Sequence, residues 1–345
     1  MQEMKLRIHV NKLRKNALAF KEKTDRFLYA VVKADAYGHG AVAVVNALYG
    51  VADAFAVALV SEALAIKQAA AGKEILIFTP PTSMEDVVVA ASNGFTLTAT
   101  DLKSANLIAS TVKRYGLTVD VEIKVNTGMN RYGVHGATLG KVCAILKRSG
   151  QVRVQGVYSH LYSQDKNLCE EQRLRFMGAV KICRRYFPLV RAHLASTYGV
   201  TLGDEYLFDG VRIGLGLYGY FPGSDTSLPI APVMSGYATC VASRRCLFGG
   251  VGYGDARKDL CGQPIAVLRG GYAEGLGLVA KDSGLNPALV GNCCMDVCFS
   301  GSEIPVGKEV LLFKDVAPMA RSRKTSVYEV LCLLGLRASK EYIND

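Results

Sequence analysis

Phe27-Leu-Tyr-Ala-Val-Val-Lys-Ala-Asp-Ala-Tyr-Gly-His-Gly-Ala-Val-Ala-Val-Val-Asn-Ala-Leu48 is the unit from which most of this chain is built. Phe27 to Val32 is a continuous short apolar run, the pattern of a strand buried on both faces. Lys33 closes it. Tyr37, Gly38, His39 and Gly40 make a turn, and Ala41 to Leu48 carries a helical pattern. A lysine at the end of a buried strand is costly unless its charge or its amine is used. Two readings of Lys33 are open at this point. It snorkels to solvent along its own stem, or it is a half-desolvated amine that is neutral enough to form a Schiff base with a carbonyl.

The same strand–helix alternation runs outward from this unit. A helix over Lys12 to Lys23 precedes it. Strands are predicted at Ala54 to Leu59, Glu74 to Phe78, Phe95 to Thr98, Val119 to Val125, Val154 to Tyr158, Ala192 to Ala195 and Val211 to Leu217. Helices are predicted at Ser61 to Ala71, Ser83 to Ser92, Thr100 to Tyr115, Thr138 to Ser149 and Leu168 to Tyr186. Eight short apolar strands, mostly separated by helices, predict an α/β fold with a closed (β/α)8 TIM-type barrel. An open doubly wound sheet is the alternative. It would want fewer units and a Gly-rich phosphate turn after the first strand, which Tyr37-Gly-His-Gly40 is not.

From about Pro222 the texture changes. Short β-type runs dominate, at Tyr237 to Ala242, Gly249 to Gly254, Pro264 to Leu268, Ala288 to Gly291 and Val310 to Phe313, with one helix over Ser326 to Leu334. The predicted organisation is a barrel over residues 1–222 and a C-terminal β-rich domain over 223–345. Turn chemistry at Phe221-Pro-Gly223 marks the boundary. No internal repeat or low-complexity segment is visible.

With 345 residues, the chain is long enough for one large domain and a smaller one. It is 50% hydrophobic but has no apolar run long enough to span a membrane, and the mixed, charged start lacks a signal-peptide core. A cytoplasmic protein with no membrane partner is expected. The ten cysteines are dilute, and Cys143, Cys183, Cys298 and Cys332 sit in apolar runs, as small hydrophobes do in a reducing compartment. No CxxC occurs, so no metal site is expected. The formal charge of +11 is dispersed, without an arginine stripe interleaved with aromatics. It suits anionic small molecules better than nucleic acid.

In such a barrel the chemistry sits at the carboxyl ends of the strands. Those ends carry Lys33 and Tyr37, then Lys124, Asn126 and Arg131, then His160, then His193, Ser196 and Thr197, and last Arg212, Gly214 and Leu215. Each alone is more often structural. Together they form an anion-binding, carbonyl-capturing set at one mouth.

Six motifs in order give this set a family. Ala30-Val-Val-Lys-Ala-Asp-Ala-Tyr-Gly-His-Gly40 resembles the pyridoxal-phosphate attachment motif of the alanine racemase family. Lys124-Val-Asn-Thr-Gly-Met-Asn-Arg-Tyr-Gly133 resembles its Lys-x-Asp-Thr-Gly-Met-x-Arg-x-Gly, and Val211-Arg-Ile-Gly-Leu-Gly-Leu-Tyr-Gly219 its Arg-Pro-Gly stretch. Val251-Gly-Tyr-Gly254, Gly271-Tyr-Ala-Glu-Gly275 and Cys294-Met-Asp296 follow in the expected order. The resemblance spans both predicted domains and implies the same barrel followed by a β domain.

It also implies a two-base racemase of small amino acids, acting on L- and D-alanine, with pyridoxal 5'-phosphate as cofactor. Lys33 would carry the cofactor and serve one face of the α-carbon. Tyr272 of a second copy would serve the other, so active sites would be shared in a homodimer. Tyr37, Thr197, Gly214 and Leu215 would hold the phosphate. His160 and Arg212 would support the tyrosine, and Arg212 would face the pyridine nitrogen. Since arginine keeps its proton, that nitrogen would stay largely unprotonated, which favours racemisation over transamination. Arg131 and the Met295 amide would bind the substrate carboxylate. Lys124 matches a lysine that carries a carbamate in the family; the plainer reading is a buried lysine paired with an acid.

The chain departs from the family pattern at three places. Ala195-Ser-Thr197 stands for the usual Ala-Asn-Ser. The segment 276–292 is short and shows no counterpart of a tyrosine that gates access. Leu336 stands where a late pocket-narrowing tyrosine is expected. A wider pocket, a different substrate such as serine, or a pyridoxal-phosphate-binding relative with little turnover are the alternatives these departures raise.

Overall fold

The computed structural model describes residues 4–222, 228–253, 260–278, 284–287 and 289–345. The chain opens with strand β1 (Lys5–His9) and helix α1 (Val10–Thr24). Then β2 (Phe27–Val31), β3 (Ala54–Val57), β4 (Glu74–Ile77), β5 (Thr96–Ala99), β6 (Val119–Lys124), β7 (Val152–Tyr158), β8 (Arg191–His193) and β9 (Gly210–Ile213) close into a barrel. Neighbouring strands are parallel throughout, and β2 closes on β9 with Tyr29 opposite Arg212. All eight strands lie where the apolar runs predicted them.

The outer helices are α3 (Ala41–Leu48), α4 (Val60–Ile66), α5 (Met84–Ser92), α6 (Leu102–Tyr115), α7 (Gly136–Arg148) and α8 (Lys166–Tyr186). Short polar residues start several of them. Ser83, Asp101 and Asp165 accept from the otherwise unpaired amides of Asp86, Ser104 and Leu168, at 3.1, 2.7 and 3.0 Å.

A second sheet follows. It comprises β10 (Met234–Arg245), β11 (Pro264–Arg269), β12 (Val297–Ser300), β13 (Glu309–Phe313) and β14 (Ser339–Ile343), with α9 (Ala317–Ser322) and α10 (Val327–Leu334). The sheet runs β12-β11-β10-β1-β14, with β13 also on β10. The first strand of the chain therefore lies in its last sheet, antiparallel to β10 and parallel to β14. Sequence reading missed β1, whose alternation is only five residues long, β12, which is only four residues long, β14, whose mixed Ser-Lys-Glu-Tyr-Ile shows no apolar face, and the short helix α9. The strand expected at Gly249 to Gly254 is not one over its described residues, and Gly254 lies outside them. The one expected at Ala288 to Gly291 is reduced to a single bridge from Leu289 to Ser300, Ala288 lying outside the described residues. So does Gly223 at the expected boundary.

Two features position the site. The first is α2 (Lys33–Gly38), directly after β2. It is a left-handed turn, with φ of 51 to 55° at Ala34, Asp35, Ala36 and Tyr37. Left-handed geometry costs roughly 1–2 kcal/mol per non-glycine residue, so the turn must be held. Glu62 on α4 accepts from the Ala34 amide at 2.7 Å, and Asp35 accepts from the Ala41 amide at 2.7 Å. Gly38 lies against α10, where a Cβ would meet Leu331 O at 2.4 Å, and Gly335 is equally tight against Gly38. The second feature is the barrel interior, which is polar. Tyr29, Glu122, His193 and Arg212 fill it in place of the usual branched aliphatics.

Candidate active site

The strand ends converge on one cavity of about 280 Å³ at the mouth of the barrel. Lys33, Tyr37, Arg131, His160, Thr197, Arg212, Gly214 and Leu215 all line it, as do Lys124 and Ser196. They come from five strand ends and the loops after them, those of β2, β6, β7, β8 and β9, so the barrel's closure brings together residues nearly two hundred positions apart. None of the described lining residues is acidic, while four are lysine or arginine.

Burial sets the protonation of these groups. It pulls the Lys33 amine below its ordinary value, with Arg131 adding to the effect. Lys124 is pulled well below, by burial first and then by Arg212 and Arg131. No carboxylate pairs with it among the described residues, so the reading of Lys124 as half of an ion pair is not met; its ammonium end lies 5.1 Å from the Tyr158 ring centre. Burial pushes the Tyr37 phenol up, so it stays protonated and donates. His160 is held well below its usual value by burial and by Arg212, and is neutral. Arg212 is lowered by burial to about 10 and so remains a cation at neutral pH.

Arg212 is the most constrained of the set. One terminal nitrogen donates to His193 Nδ1 at 2.9 Å and to His193 O at 2.8 Å. The other donates to Ser159 O at 2.5 Å and to Leu194 O at 3.0 Å, and lies 3.5 Å from His160 Nδ1. A guanidinium with this many fixed acceptors presents its remaining face to the cavity in one orientation. Thr197 accepts from the Gly216 amide at 3.1 Å, which ties the seventh strand end to the short 3-10 turn Leu215–Tyr218. Gly214 precedes that turn, with room for nothing larger than hydrogen beside the Tyr37 hydroxyl.

Residues 8–222 match the family described as alanine racemase, N-terminal domain, and residues 230–342 that described as alanine racemase, C-terminal domain. The chain belongs to the alanine racemase family. Members of this family are pyridoxal-phosphate-dependent isomerases. Alanine racemase of Desulfovibrio desulfuricans is 31% identical over 337 residues, 91% of this chain and 90% of that protein. The enzyme of Streptococcus pneumoniae is 32% identical over the same length, with the same coverage. Among solved structures, alanine racemase of Clostridium difficile superposes with a TM-score of 0.90 at 25% identity, covering 100% of this chain and 97% of that one. The biosynthetic alanine racemase of Pseudomonas aeruginosa gives 0.87 at 27% identity, with both chains fully covered.

Two residues assigned from the family resemblance do not join the cavity of their own chain. Tyr272 lies in the 3-10 turn Tyr272–Glu274 and is 39% exposed, and Met295 is 52% exposed. They form one surface unit. The Tyr272 amide donates to Cys294 O and the Ala273 amide to Met295 O, both at 3.1 Å. Glu274 is buried beneath them and pairs with Arg337 at 3.0 Å.

One expectation is corrected. Leu336 does not stand at the pocket; it is 77% exposed. The late tyrosine that narrows the cavity is Tyr328, in the first turn of α10, its ring 5.7 Å from that of Tyr37. The Gly38–Gly335 contact docks α10 on the left-handed turn and aims Tyr328 inward. The argument for a wider pocket therefore falls away. Ala58, Phe78, Tyr132 and Tyr158 also line the cavity and were missed. Ala58, Phe78 and Tyr158 sit at strand ends, where the rule that found Lys33 would have found them had it been applied to apolar and aromatic residues.

Proposed function

We propose that this chain interconverts L- and D-alanine with pyridoxal 5'-phosphate held in the barrel-mouth cavity. The observation that carries the reading is the convergence, on one cavity, of Lys33, whose amine is lowered by burial, with three further lysine and arginine side chains and no described carboxylate. The residues fit the cofactor. An anion is favoured where four basic side chains and, among the described residues, no carboxylate face the cavity, and glycine at 214 leaves its backbone open to close approach beside the Tyr37 hydroxyl. Lys33 would hold the cofactor's aldehyde carbon. The Tyr37 and Thr197 hydroxyls and the Gly214 and Leu215 amides would hold its phosphate, and Arg212, backed by His160, would face its ring nitrogen. When bound, the cofactor supplies an electron-withdrawing ring that acidifies the α-proton of an amino acid.

The chain's residues then divide the proton work. Lys33 Nζ takes or returns the proton on one face. Tyr272 Oη of a second copy acts on the other, because Tyr272 lies outside its own chain's cavity. Arg131 grips the substrate carboxylate, aided by the Met295 amide that travels with Tyr272. A carbamate on Lys124, whose amine burial makes easier to deprotonate, would supply an anion beside Arg131. The functional unit is thus a homodimer with shared sites, and the ten free thiols favour the reducing cytoplasm.

Solvent-deuterium exchange at the α-carbon of L- and D-alanine, serine and lysine tests the reading. Exchange with inversion from both alanine enantiomers is expected. Exchange from one enantiomer alone, or carbon dioxide release, would refute it. Borohydride should fix the cofactor to Lys33 and leave Lys33→Ala unlabelled. Mixing inactive Lys33→Ala with inactive Tyr272→Phe should restore about a quarter of wild-type activity, since half the random dimers would hold one intact site of two; no recovery would refute the shared site.

A further inference from the structure

The barrel interior holds a hydrogen-bonded string that the cavity chemistry does not by itself require. Arg191 Nη1 donates to the Tyr29 hydroxyl at 2.6 Å and to Glu74 at 3.1 Å. Tyr29 donates to Glu122 Oε1 at 2.7 Å. His193 Nε2 lies 2.8 Å from Glu122 Oε2, and His193 Nδ1 lies 2.9 Å from Arg212 Nη1. Glu122 and His193 are both fully buried. The string runs from the amino-terminal ends of β4 and β8 to the wall of the cavity.

The donors fix its direction. A guanidinium only donates, so Arg212 makes His193 Nδ1 an acceptor. The ring proton must then sit on Nε2, pointing at Glu122 Oε2. From the other side, Arg191 fills an acceptor position on the Tyr29 oxygen, so the phenol proton points at Glu122 Oε1. Both oxygens of Glu122 therefore accept, which is the state of a carboxylate. Burial pushes Glu122 up, and the Tyr29 hydrogen bond and the arginines oppose it. Space for the carboxylate is made on the neighbouring strand, where a Cβ at Gly156 would stand 2.3 Å from Glu122 Oε1.

We propose that Glu122 is a positioning residue for Arg212: by accepting from His193 Nε2 it locks the imidazole in the one tautomer whose Nδ1 can receive the guanidinium, and so sets the orientation Arg212 presents to the cavity. Its bearing on catalysis rests on the assignment of Arg212 to the cofactor ring. Without the carboxylate, His193 Nε2–H has no partner, the ring is free to carry its proton on Nδ1, and that proton collides with the Arg212 donor. Arg212 keeps its backbone acceptors and stays in place, but its aim is no longer unique.

The test uses the full-length chain with nitrogen-15-labelled histidine, with and without pyridoxal phosphate. Five histidines make the spectrum assignable. Wild-type His193 should be neutral with its proton on Nε2. In Glu122→Leu the proton should appear partly or wholly on Nδ1, and kcat for alanine should fall about tenfold or more with KM within threefold. Glu122→Gln, whose amide oxygen can still face His193, should keep the Nε2 tautomer and stay within about threefold of wild-type kcat. Tyr29→Phe removes the other donor to Glu122 and should lower the melting temperature while leaving kcat within twofold. Gly156→Ala displaces the carboxylate without removing it, and carries the same test if Glu122→Leu does not fold. An Nδ1 proton in the wild-type chain, an unchanged tautomer and kcat in Glu122→Leu, or an equal kcat loss in Tyr29→Phe would each overturn the proposal. If instead the wild-type chain takes up no cofactor on Lys33, the functional reading fails, while the tautomer measured on the cofactor-free chain still decides the role of Glu122.

Discussion

Gly214→Ala offers a test of the phosphate cradle whose size follows from the structure. A Cβ at this position would lie 2.6 Å from the Tyr37 hydroxyl oxygen, 3.3 Å from Tyr37 Cζ and 3.6 Å from Val31 Cβ. The first distance is about 0.8 Å inside the 3.4 Å at which ordinary contact begins. Tyr37 has nowhere to go. Its ring is 5.0 Å from that of Tyr218 and 5.7 Å from that of Tyr328, and it is 5% exposed. Either the loop after β9 retreats, taking the Gly214 and Leu215 amides with it, or the hydroxyl is pushed out of line. Overpacking of this kind costs about 1–3 kcal/mol. If the bound state carries that cost, pyridoxal phosphate should bind about fivefold to a hundredfold more weakly. The dissociation constant is read by titrating the cofactor's visible absorbance into the cofactor-free chain, with circular dichroism confirming the fold. Pyridoxal without its phosphate should bind both proteins equally through Lys33. An unchanged affinity for the phosphate form, or an equal loss for pyridoxal, would refute the assignment of Gly214 and Tyr37 to the phosphate.

Three further outcomes are expected. His39 is fully buried, its Nε2 has no partner among the described residues, and burial pulls it down to about 4 from an ordinary 6.5. Below pH 6.5 the unfolded chain takes a proton that the folded chain refuses, so stability falls as pH drops from 6.5 toward 4, by roughly 3 kcal/mol from this group; urea midpoints across that range should show a shallower slope in His39→Asn. Tyr328→Ala should lower kcat/KM for alanine about tenfold by opening the cavity, while Leu336→Ala should stay within twofold, as steady-state kinetics on both variants will show. Carbon-13 bicarbonate should give a carbamate resonance in the wild-type chain that is absent from Lys124→Ala, and the variant's KM for alanine should rise severalfold as Arg131 loses its neighbour.

The barrel was legible because its signal is repeated. Most of the eight strands are short and largely apolar, which is what a parallel sheet covered on both faces asks for, and the strand–helix alternation repeats around the barrel. The site was legible where chemistry and position coincide, at polar residues ending a buried strand, which is why Lys33, Tyr37, Thr197 and Arg212 could be picked out together. Tyr328 was not, because no local pattern says which turn of α10 faces the barrel; that is decided by a glycine–glycine contact between residues almost three hundred positions apart. Glu122 was hidden for the opposite reason. Val119-Asp-Val-Glu-Ile-Lys124 alternates like a half-exposed strand, so its glutamate reads as a solvent-facing residue. Only barrel closure turns that face into the interior, opposite Tyr29 and His193.

The left-handed turn after β2 ties these levels together. Four successive non-glycine residues in that conformation carry a strain that local hydrogen bonds of about 0.5–1.5 kcal/mol each offset only in part. Further support comes from the C-terminal part of the chain. Lys340 pairs with Asp35 at 3.1 Å, Tyr342 donates to His39 O at 3.2 Å, and α10 packs on Gly38. The Cβ that Gly40 lacks would collide with the Tyr342 hydroxyl, so glycine at 40 is what lets β14 come close enough to brace the turn. β14 in turn is paired with β1, which leads directly into α1 and β2. The segment that carries Lys33 is thus gripped from both sides by the second sheet, through its own upstream strand and through the helix that delivers Tyr328. The geometry of the candidate lysine is therefore a property of the whole chain, and the barrel is not a cofactor module to which a β domain has merely been appended.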